Sequence, residues 1–253
     1  MIGRFFAPRG REEGPLPAAP PGTRLYAIGD IHGRIDLLRQ LTRLIEDDAA
    51  SHAAPRKVIV YLGDYVDRGD HSREVIERLL REPVPGFESV HLKGNHEDFM
   101  VRFLDDVSAG PGWLSFGGME TLESYGVAPP PPHAPLEELL RAQRELGQRL
   151  PQDHVEFLRA LLLSHAEGDY FFAHAGVKPG VALERQREQD LLWIRDEFLL
   201  SEAPFGRVVV HGHTIAAEPV VRPNRIGIDT GAFKSGRLTA LVAEGTERAF
   251  LQT

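Results

Sequence analysis

Two aspartates and an arginine stand in a short loop, Gly63–Gly69, directly after an apolar run. The run Lys57–Leu62 is rich in β-branched residues and predicts a buried strand, so Asp64, Asp67 and Arg68 follow its carboxyl end. Ligands bind at that edge of an open α/β sheet. Packed into a core, these three charges would repel or pair unproductively, whereas they complement divalent metal and phosphate. An ordinary Asp-Arg-Gly turn is the alternative interpretation.

Four other apolar runs also end in polar clusters. These clusters are Asp30 with His32, Asn95 with His96, His174 alone, and His211 with His213. If all five strands end at the same edge, their clusters converge in one crevice. Such a set of carboxylates and imidazoles can hold two ions about 3.5–4 Å apart, which activate a shared water and clamp a phosphoryl group. The pattern therefore predicts a dinuclear metal centre.

Three strand–turn–helix units carry the first clusters. The predicted strands are 24–28, 57–62 and 89–92, and the predicted helices are 35–48, 72–81 and a third that contains Phe99 and Phe103. Successive βα units indicate a largely parallel sheet with right-handed crossovers.

The remainder of the chain is less regular. Residues 111–132 are predicted to be an irregular insert that caps the site, because they are rich in Gly and Pro. The further predictions are helices over 136–146, 152–163 and 189–200, strands over 169–173 and 207–210, and tail strands over 219–221, 225–228, 237–242 and 248–251. We expect the tail strands to form a second, antiparallel-rich sheet. Residues 1–22 are predicted to be a flexible or loosely docked arm, and residues 23–253 a single domain.

Composition narrows the chemistry further. The chain has 253 residues with a net charge of −8, so nucleic-acid binding driven by overall charge is not expected. It contains no cysteine, which excludes disulfides, thiolate metal sites and a cysteine nucleophile. The remaining ligand types suit Mn²⁺, Fe or Zn²⁺. Neither a membrane span nor a signal peptide is apparent, so a cytoplasmic enzyme is expected.

Five ordered blocks resemble those of the calcineurin-like metallophosphoesterases. They are Gly29-Asp30-Ile31-His32-Gly33, Gly63-Asp64-Tyr65-Val66-Asp67-Arg68-Gly69, Gly94-Asn95-His96-Glu97, His174-Ala175-Gly176 and Gly212-His213-Thr214. The second block is similar to that of the phosphoprotein phosphatase branch, especially the bacterial and phage serine/threonine phosphatases. Ile215 agrees with that branch and argues against the nuclease and cyclic-nucleotide branches. The resemblance implies an α/β fold, a four-layer α/β/β/α sandwich.

The same resemblance implies a role for each site residue. It implies that Asp30, His32 and Asp64 bind a first metal, and that Asp64, Asn95, His174 and His213 bind a second. It implies that Arg68, Arg195 and Asn95 hold the phosphate, that His96 is the general acid and that Asp67 orients it. The nucleophile would be a metal-bridging hydroxide attacking in line. The role of Arg195 is inferred only from the Trp193-Ile194-Arg195 triplet, and the alternative is that Arg195 is a surface arginine on a helix.

Three functions compete on this basis. The first is a phosphomonoesterase that acts on phosphoserine or phosphothreonine, with phosphotyrosine as a further substrate. The second is symmetrical hydrolysis of diadenosine tetraphosphate or removal of RNA caps, and the pair Asp67-Arg68 favours the first over it. The third is an inactive phosphopeptide-binding module, disfavoured because every expected ligand is present.

Two divalent ions are expected, with Mn²⁺ preferred over Fe or Zn²⁺. The expected partner is a phosphoprotein or a small phosphorylated substrate. Binding to a membrane is not expected, and binding to nucleic acid is expected only at a capped RNA end. The sequence does not indicate the oligomeric state.

Overall fold

Strands and helices account for most of residues 16–253, the part of the chain that the computed structural model describes. The strands in this part are β1 (Thr23–Ile28), β2 (Arg56–Tyr61), β3 (Glu88–His91), β4 (Ser164–Glu167), β5 (Tyr170–Ala173), β6 (Val208–His211), β7 (Val220–Val221), β8 (Arg225–Gly227), β9 (Thr239–Glu244) and β10 (Glu247–Gln252). The α-helices are α1 (Ile35–Ala50), α2 (Ser72–Arg81), α3 (Asn95–Asp105), α4 (Gly110–Trp113), α5 (Met119–Ser124), α6 (Leu136–Arg149), α7 (Gln152–Ala160), α8 (Glu188–Trp193), α9 (Asp196–Leu199) and α10 (Ala232–Ser235). The three predicted βα units are all present.

The first sheet has the strand order β10-β9-β1-β2-β3. Strands β1, β2 and β3 are parallel, whereas β9 is antiparallel to both β1 and β10. The register pairs Ile28 with Tyr61, the last residues of β1 and β2. The two polar loops that follow therefore begin side by side.

The second sheet has the strand order β4-β5-β6-β8-β7. Strands β5, β6 and β8 are parallel, and β4 and β7 are antiparallel edge strands. The prediction that the tail strands form this sheet is confirmed for β7 and β8 and is wrong for β9 and β10, which belong to the first sheet. Alternation of apolar residues identifies a strand but not its partners. The sequence also missed β4, whose residues Ser-His-Ala-Glu lack an apolar face.

Alternating side chains divide the molecule into layers. Leu25 and Ala27 of β1 pack with Phe172 and Val210 in a core between the two sheets. Their neighbour Tyr26 belongs instead to the core formed with the long helices. The other face of the second sheet packs against α8 and α9. The order of helices, sheet, sheet and helices agrees with the predicted four-layer α/β/β/α sandwich.

The predicted insert at 111–132 is helical over its first half, so its description as irregular is wrong there. A π-helical turn, Leu114–Gly118, connects α4 to α5. Pro111 lies in the first turn of α4, where a proline costs a helix nothing. Gly117 interrupts the run with a φ of 108°, a value that side chains disfavour. Breakers therefore shorten these helices without preventing them.

The predicted N-terminal arm falls mostly on residues 1–15, which lie outside the described residues. Just before β1, the buried Ala19 donates its N–H to the carbonyl of Gly245 at 2.8 Å, and Ala18 donates to the Asp169 carboxylate at 3.0 Å. Among the helices of residues 16–253, none has the length and apolar character needed to cross a bilayer.

Candidate active site

Loops from both sheets interlock at one rim of the molecule. The N–H groups of Ile31 and His32, after β1, donate to the carbonyl of Asp64, after β2, at 3.0 and 2.8 Å. The N–H of His213, after β6, donates to the Asp30 carboxylate at 3.0 Å. The sequence prediction that the strand ends share one crevice therefore describes the geometry correctly.

The backbone of these loops is strained. In the described residues, six non-glycine residues have a positive φ: His32, Asp64, Asp67, Arg68, His133 and His213. All but His133 are predicted site residues, and such conformations persist where the surrounding structure enforces them. The carboxylates also fill space that a side chain would need, because a Cβ on Gly94 would lie 2.1 Å from Asp64 Oδ1.

Glu97 fastens the Asp64 loop to the start of α3. Its buried carboxylate accepts N–H groups from Asp64 at 2.9 Å, Tyr65 at 2.7 Å and Gly94 at 2.8 Å. Because these bonds link two loops of the site, Glu97 sets the position of Asp64 relative to Asn95.

Three donor atoms, each able to bind a metal ion, converge beside Asp64. The Asn95 Oδ1 atom lies 2.9 Å from both His174 Nε2 and His213 Nδ1, and the two imidazole nitrogens are 3.2 Å apart. Asp64 Oδ1 is 3.4 Å from His174 Nε2. His174 donates its Nδ1–H to the carbonyl of Leu62 at 2.9 Å, so its Nε2 presents a lone pair. These separations match the roughly 3.0–3.4 Å between atoms that surround one ion at about 2.1 Å.

A second group of donor atoms lies on the other side of Asp64. His32 Nε2 is 3.5 Å from Asp64 Oδ2, and its Nδ1–H donates to the carbonyl of Val66 at 2.9 Å. His96 Nε2 is also near, 3.8 Å from Asp64 Oδ2. The donor atoms of His32, Asp64 and His96 all lie within 4.8 Å of one another. Asp30, which the sequence pairs with His32, lies outside this group and accepts hydrogen bonds from His213.

Burial sets the charges of the site. It lowers the pKa of His32 to about 3 and lowers the pKa of His174 and His213 as well, which keeps these imidazoles neutral and able to bind metal. Burial, followed by the charges of Asp229 and Asp64, raises the pKa of Asp30. Crowded buried carboxylates and unprotonated imidazoles call for cations, so the donor set fits divalent metal ions on both sides of Asp64.

His96 differs from the other imidazoles. It donates its Nδ1–H to Asp67 Oδ2 at 2.7 Å, and both residues are buried. Burial alone would lower the pKa of His96, but the charges of Asp64 and Asp67 outweigh burial and raise it. A raised pKa favours the protonated imidazole, and because Asp67 holds the Nδ1–H, the Nε2 atom that faces the site is the one that can carry and release a proton.

Sequence reasoning missed the residues that hold Asp67. Its carboxylate accepts the Trp113 indole N–H at 3.0 Å and the Thr121 hydroxyl at 2.6 Å. Its own N–H donates to Ser72 Oγ at 3.0 Å. Trp113 and Thr121 come from the helical insert, and no periodicity or spacing in the sequence links them to Asp67.

Replacing Thr121 with valine should impair turnover without releasing metal. The change keeps the shape of the side chain but removes a hydroxyl that fixes Asp67, so His96 loses orientation. We expect kcat to fall about tenfold, the low end for supporting partners. Steady-state kinetics and metal analysis would measure this, with Thr42→Val, a buried hydroxyl in α1, as the matched control. Unchanged kcat in Thr121→Val would show that the contact does not serve the reaction.

Two arginines border the centre. Arg68 places Nη1 3.0 Å from His32 Nε2 and Nη2 3.2 Å from His96 Nε2. Arg195 is exposed and lies in the break between α8 and α9, so the single predicted helix 189–200 is wrong at that point. Burial is the largest cause of the lowered pKa of His213, followed by the charge of His174, which lowers it, and that of Asp64, which raises it. The charge of Arg195 lowers this pKa further. Arg68 therefore contacts the proposed centre directly, whereas Arg195 lies within electrostatic range of it.

His211 lies outside the donor groups. Its ring packs edge-on against Phe198 at 5.0 Å, and its Nδ1 lies 3.0 Å from the carbonyl of Gly212. Burial lowers its pKa to about 4. These contacts give His211 a packing role.

The fold and the donor set together define a metal-dependent phosphoesterase. The chain belongs to the calcineurin-like phosphoesterase family, whose model matches residues 23–229. The protein is thus a hydrolase of the metallophosphoesterase class, as the sequence blocks predict.

Curated relatives extend over most of the chain. A protein of Anoxybacillus flavithermus, named bis(5'-nucleosyl)-tetraphosphatase PrpE [asymmetrical], is 26% identical over 237 residues, which cover 85% of this chain and 88% of the relative. The protein of the same name from Bacillus thuringiensis is 29% identical over 230 residues, with the same coverage.

Solved structures share the fold. One is described as a candidate diadenosine tetraphosphatase, with a TM-score of 0.60 and 23% identity over 94% of this chain and 98% of its own. Another is a serine/threonine phosphatase from Saccharomyces cerevisiae described as similar to human phosphatase PP5, with a TM-score of 0.55 and 14% identity over 92% and 80% of the two chains. At these identities the likeness concerns the fold.

Proposed function

We propose that this protein hydrolyses phosphate bonds at a centre of two divalent ions. The observation that carries the proposal is the convergence of Asn95 Oδ1, His174 Nε2 and His213 Nδ1 beside Asp64, with neighbouring atoms 2.9–3.4 Å apart, the spacing of ligand atoms around one ion. On the other side of Asp64, His32 would bind the second ion, and Asp30, whose carboxylate accepts the His213 N–H at 3.0 Å, would join it when that ion is bound. When bound, the ions supply an activated water and polarise the phosphoryl group. Mn²⁺ is the proposed metal.

The chain's own side chains would orient the substrate. Arg68 and Arg195 offer planar guanidinium groups that fit phosphate oxygens in pairs, and Asn95 adds an amide. His96 would give its Nε2 proton to the leaving oxygen as the bond to phosphorus breaks. Asp67 holds His96 through Nδ1 and keeps the imidazole charged before the transfer.

Changing Arg195 to alanine should weaken substrate binding. The guanidinium is exposed and makes no hydrogen bond or ion pair within the described residues, so its removal leaves no buried group unpaired. We expect KM to rise roughly tenfold, in line with the loss of one charged hydrogen-bonding partner, while metal content stays constant. Arg207→Ala, another exposed arginine before β6, is the matched control. An unchanged KM would leave Arg195 as a surface residue.

As substrate we propose a nucleoside polyphosphate that is cleaved asymmetrically. The sequence blocks alone favoured phosphoserine and phosphothreonine, with symmetrical cleavage of diadenosine tetraphosphate second. The names of the curated relatives support a dinucleoside tetraphosphate over a phosphoprotein as substrate, and they support asymmetrical over symmetrical cleavage. In that reaction, water adds its hydroxyl to a terminal phosphorus of the polyphosphate and releases its other proton to solvent. The bridging oxygen leaves with a proton from His96, and the products are a nucleoside monophosphate and a nucleoside triphosphate.

Phosphoserine or phosphothreonine hydrolysis is the second candidate. The observation that favours it is the His96–Asp67 pair, because an alkoxide needs a proton donor more than a polyphosphate leaving group does. One experiment separates the candidates: turnover of diadenosine tetraphosphate and of a phosphoserine peptide with Mn²⁺, with the nucleotide products resolved by chromatography. AMP with ATP would support the first proposal, and ADP alone would contradict its asymmetry. Phosphate release from the peptide alone would support the second candidate, and turnover of neither substrate would favour a binding module.

A further inference from the structure

A cavity of about 340 Å³ opens beside the proposed metal centre. It is lined by Arg68, Ser115, Phe116, Gly117, Glu120 and Phe233. Arg68 is shared, because this cavity-lining residue also places its Nη1 atom 3.0 Å from His32 Nε2. A molecule in the cavity is therefore separated from the centre by a single side chain.

Two aromatic rings shape this cavity. Phe116 is 45% exposed, which is a large exposed fraction for phenylalanine, and its ring is stacked on Phe99 at 5.6 Å. Phe233 lies under the Arg68 guanidinium at 4.8 Å and meets the His32 ring edge-on at 5.4 Å. The walls thus combine aromatic surface with a cation, the pairing on which bases stack.

Glu120 adds a polar group with an unmet requirement. Its Oε2 atom is buried and has no hydrogen-bond partner within the described residues. A buried carboxylate oxygen without a donor is unfavourable, and rotation of the Glu120 carboxylate towards the cavity that this residue lines would let a ligand N–H satisfy it. The amino group on the edge of a nucleobase is such a donor.

We infer that this cavity binds the nucleobase of a nucleoside polyphosphate, with Phe116 as the stacking surface, the Phe233–Arg68 pair as a second wall and Glu120 as acceptor for the base's amino group. The inference rests on the proposed function and specifies how that substrate is recognised. Its consequence concerns which bond breaks. Since the cavity adjoins His32 through Arg68, the phosphorus nearest the bound nucleoside is the one that reaches the centre, which gives asymmetrical products.

The test compares two ligands that resist hydrolysis. Adenosine 5'-(α,β-methylene)diphosphate carries a base, and methylenediphosphonate does not. Calorimetric titration of the Mn²⁺-loaded protein should give an affinity for the nucleotide at least about fivefold higher, because stacking of one base contributes this much or more. Phe116→Ala should remove most of that difference, and Phe116→Trp should retain it. Glu120→Gln should reduce it, whereas Met119→Ala, an exposed neighbour outside the cavity, should not.

Equal binding of both ligands by the wild-type protein would overturn the inference. Wild-type nucleotide affinity in both Phe116→Ala and Glu120→Gln would overturn it as well. The proposed function fails separately. A protein that prefers the nucleotide but does not cleave diadenosine tetraphosphate keeps the base site and loses the proposed substrate. A protein that releases AMP and ATP without this preference keeps the function and loses the base site.

Discussion

Asp64→Asn should abolish turnover and metal retention together. Asp64 lies between the two groups of donor atoms, with Oδ2 3.5 Å from His32 Nε2 and Oδ1 3.4 Å from His174 Nε2. An amide keeps the size of the side chain but removes the charge that balances two cations. We expect kcat to fall below detection and metal content, measured by inductively coupled plasma mass spectrometry, to fall from about two ions per chain towards zero.

Asp47→Asn is the matched control, because this exposed aspartate of α1 loses the same charge outside the site. It should leave both metal content and turnover unchanged. Near-normal activity in Asp64→Asn would refute the bridging assignment. Loss of folding would be recognised by circular dichroism, and the charge-conserving Asp64→Glu would then test the position, because a carboxylate shifted by one methylene should retain metal but not full activity.

His96→Asn should lower kcat by roughly 10²–10⁴ while both ions stay bound. The expected loss follows from removing the proton donor that Asp67 holds at 2.7 Å. It should depend on the leaving group. The kcat for a phosphoserine peptide, whose alkoxide leaving group needs the proton, should fall more than the kcat for p-nitrophenyl phosphate, whose leaving group does not need it. Parallel kinetics on the two substrates would show the difference.

The structure makes this test informative, because the donor atoms of His96, His32 and Asp64 lie within 4.8 Å of one another. If metal content fell in His96→Asn, then His96 would be a ligand instead of the acid. His71→Asn, an exposed histidine before α2, is the control and should keep full activity. Equal losses with both substrates would also argue against acid catalysis.

The sequence predicts the site more completely than the sheets around it. Polar residues after apolar runs identify the strand ends, and parallel strands bring those ends together, so the positions of Asp64 and His174 follow from local patterns. The membership of β9 and β10 in the first sheet does not follow from local patterns, because strand pairing is decided by packing between distant segments. Amphipathic alternation is the same for either sheet.

The supporting residues escape sequence reasoning for a related reason. Trp113 and Thr121 donate to Asp67 across more than 40 positions of sequence, and both look like ordinary helix residues. The Gly- and Pro-rich composition of the insert concealed its helices. Phe116 and Glu120 are likewise distinguished only by exposure and by an unpaired oxygen, which are properties of the folded chain.

An anomalous-scattering map of crystals grown with Mn²⁺ tests the proposed centre most directly. We predict two peaks about 3.5–4 Å apart. One should be surrounded by Asn95, His174 and His213, the other should lie beside His32, and the Asp64 carboxylate should contact both. A single peak, or two peaks of which neither contacts Asp64, would contradict the dinuclear hydrolase proposed here.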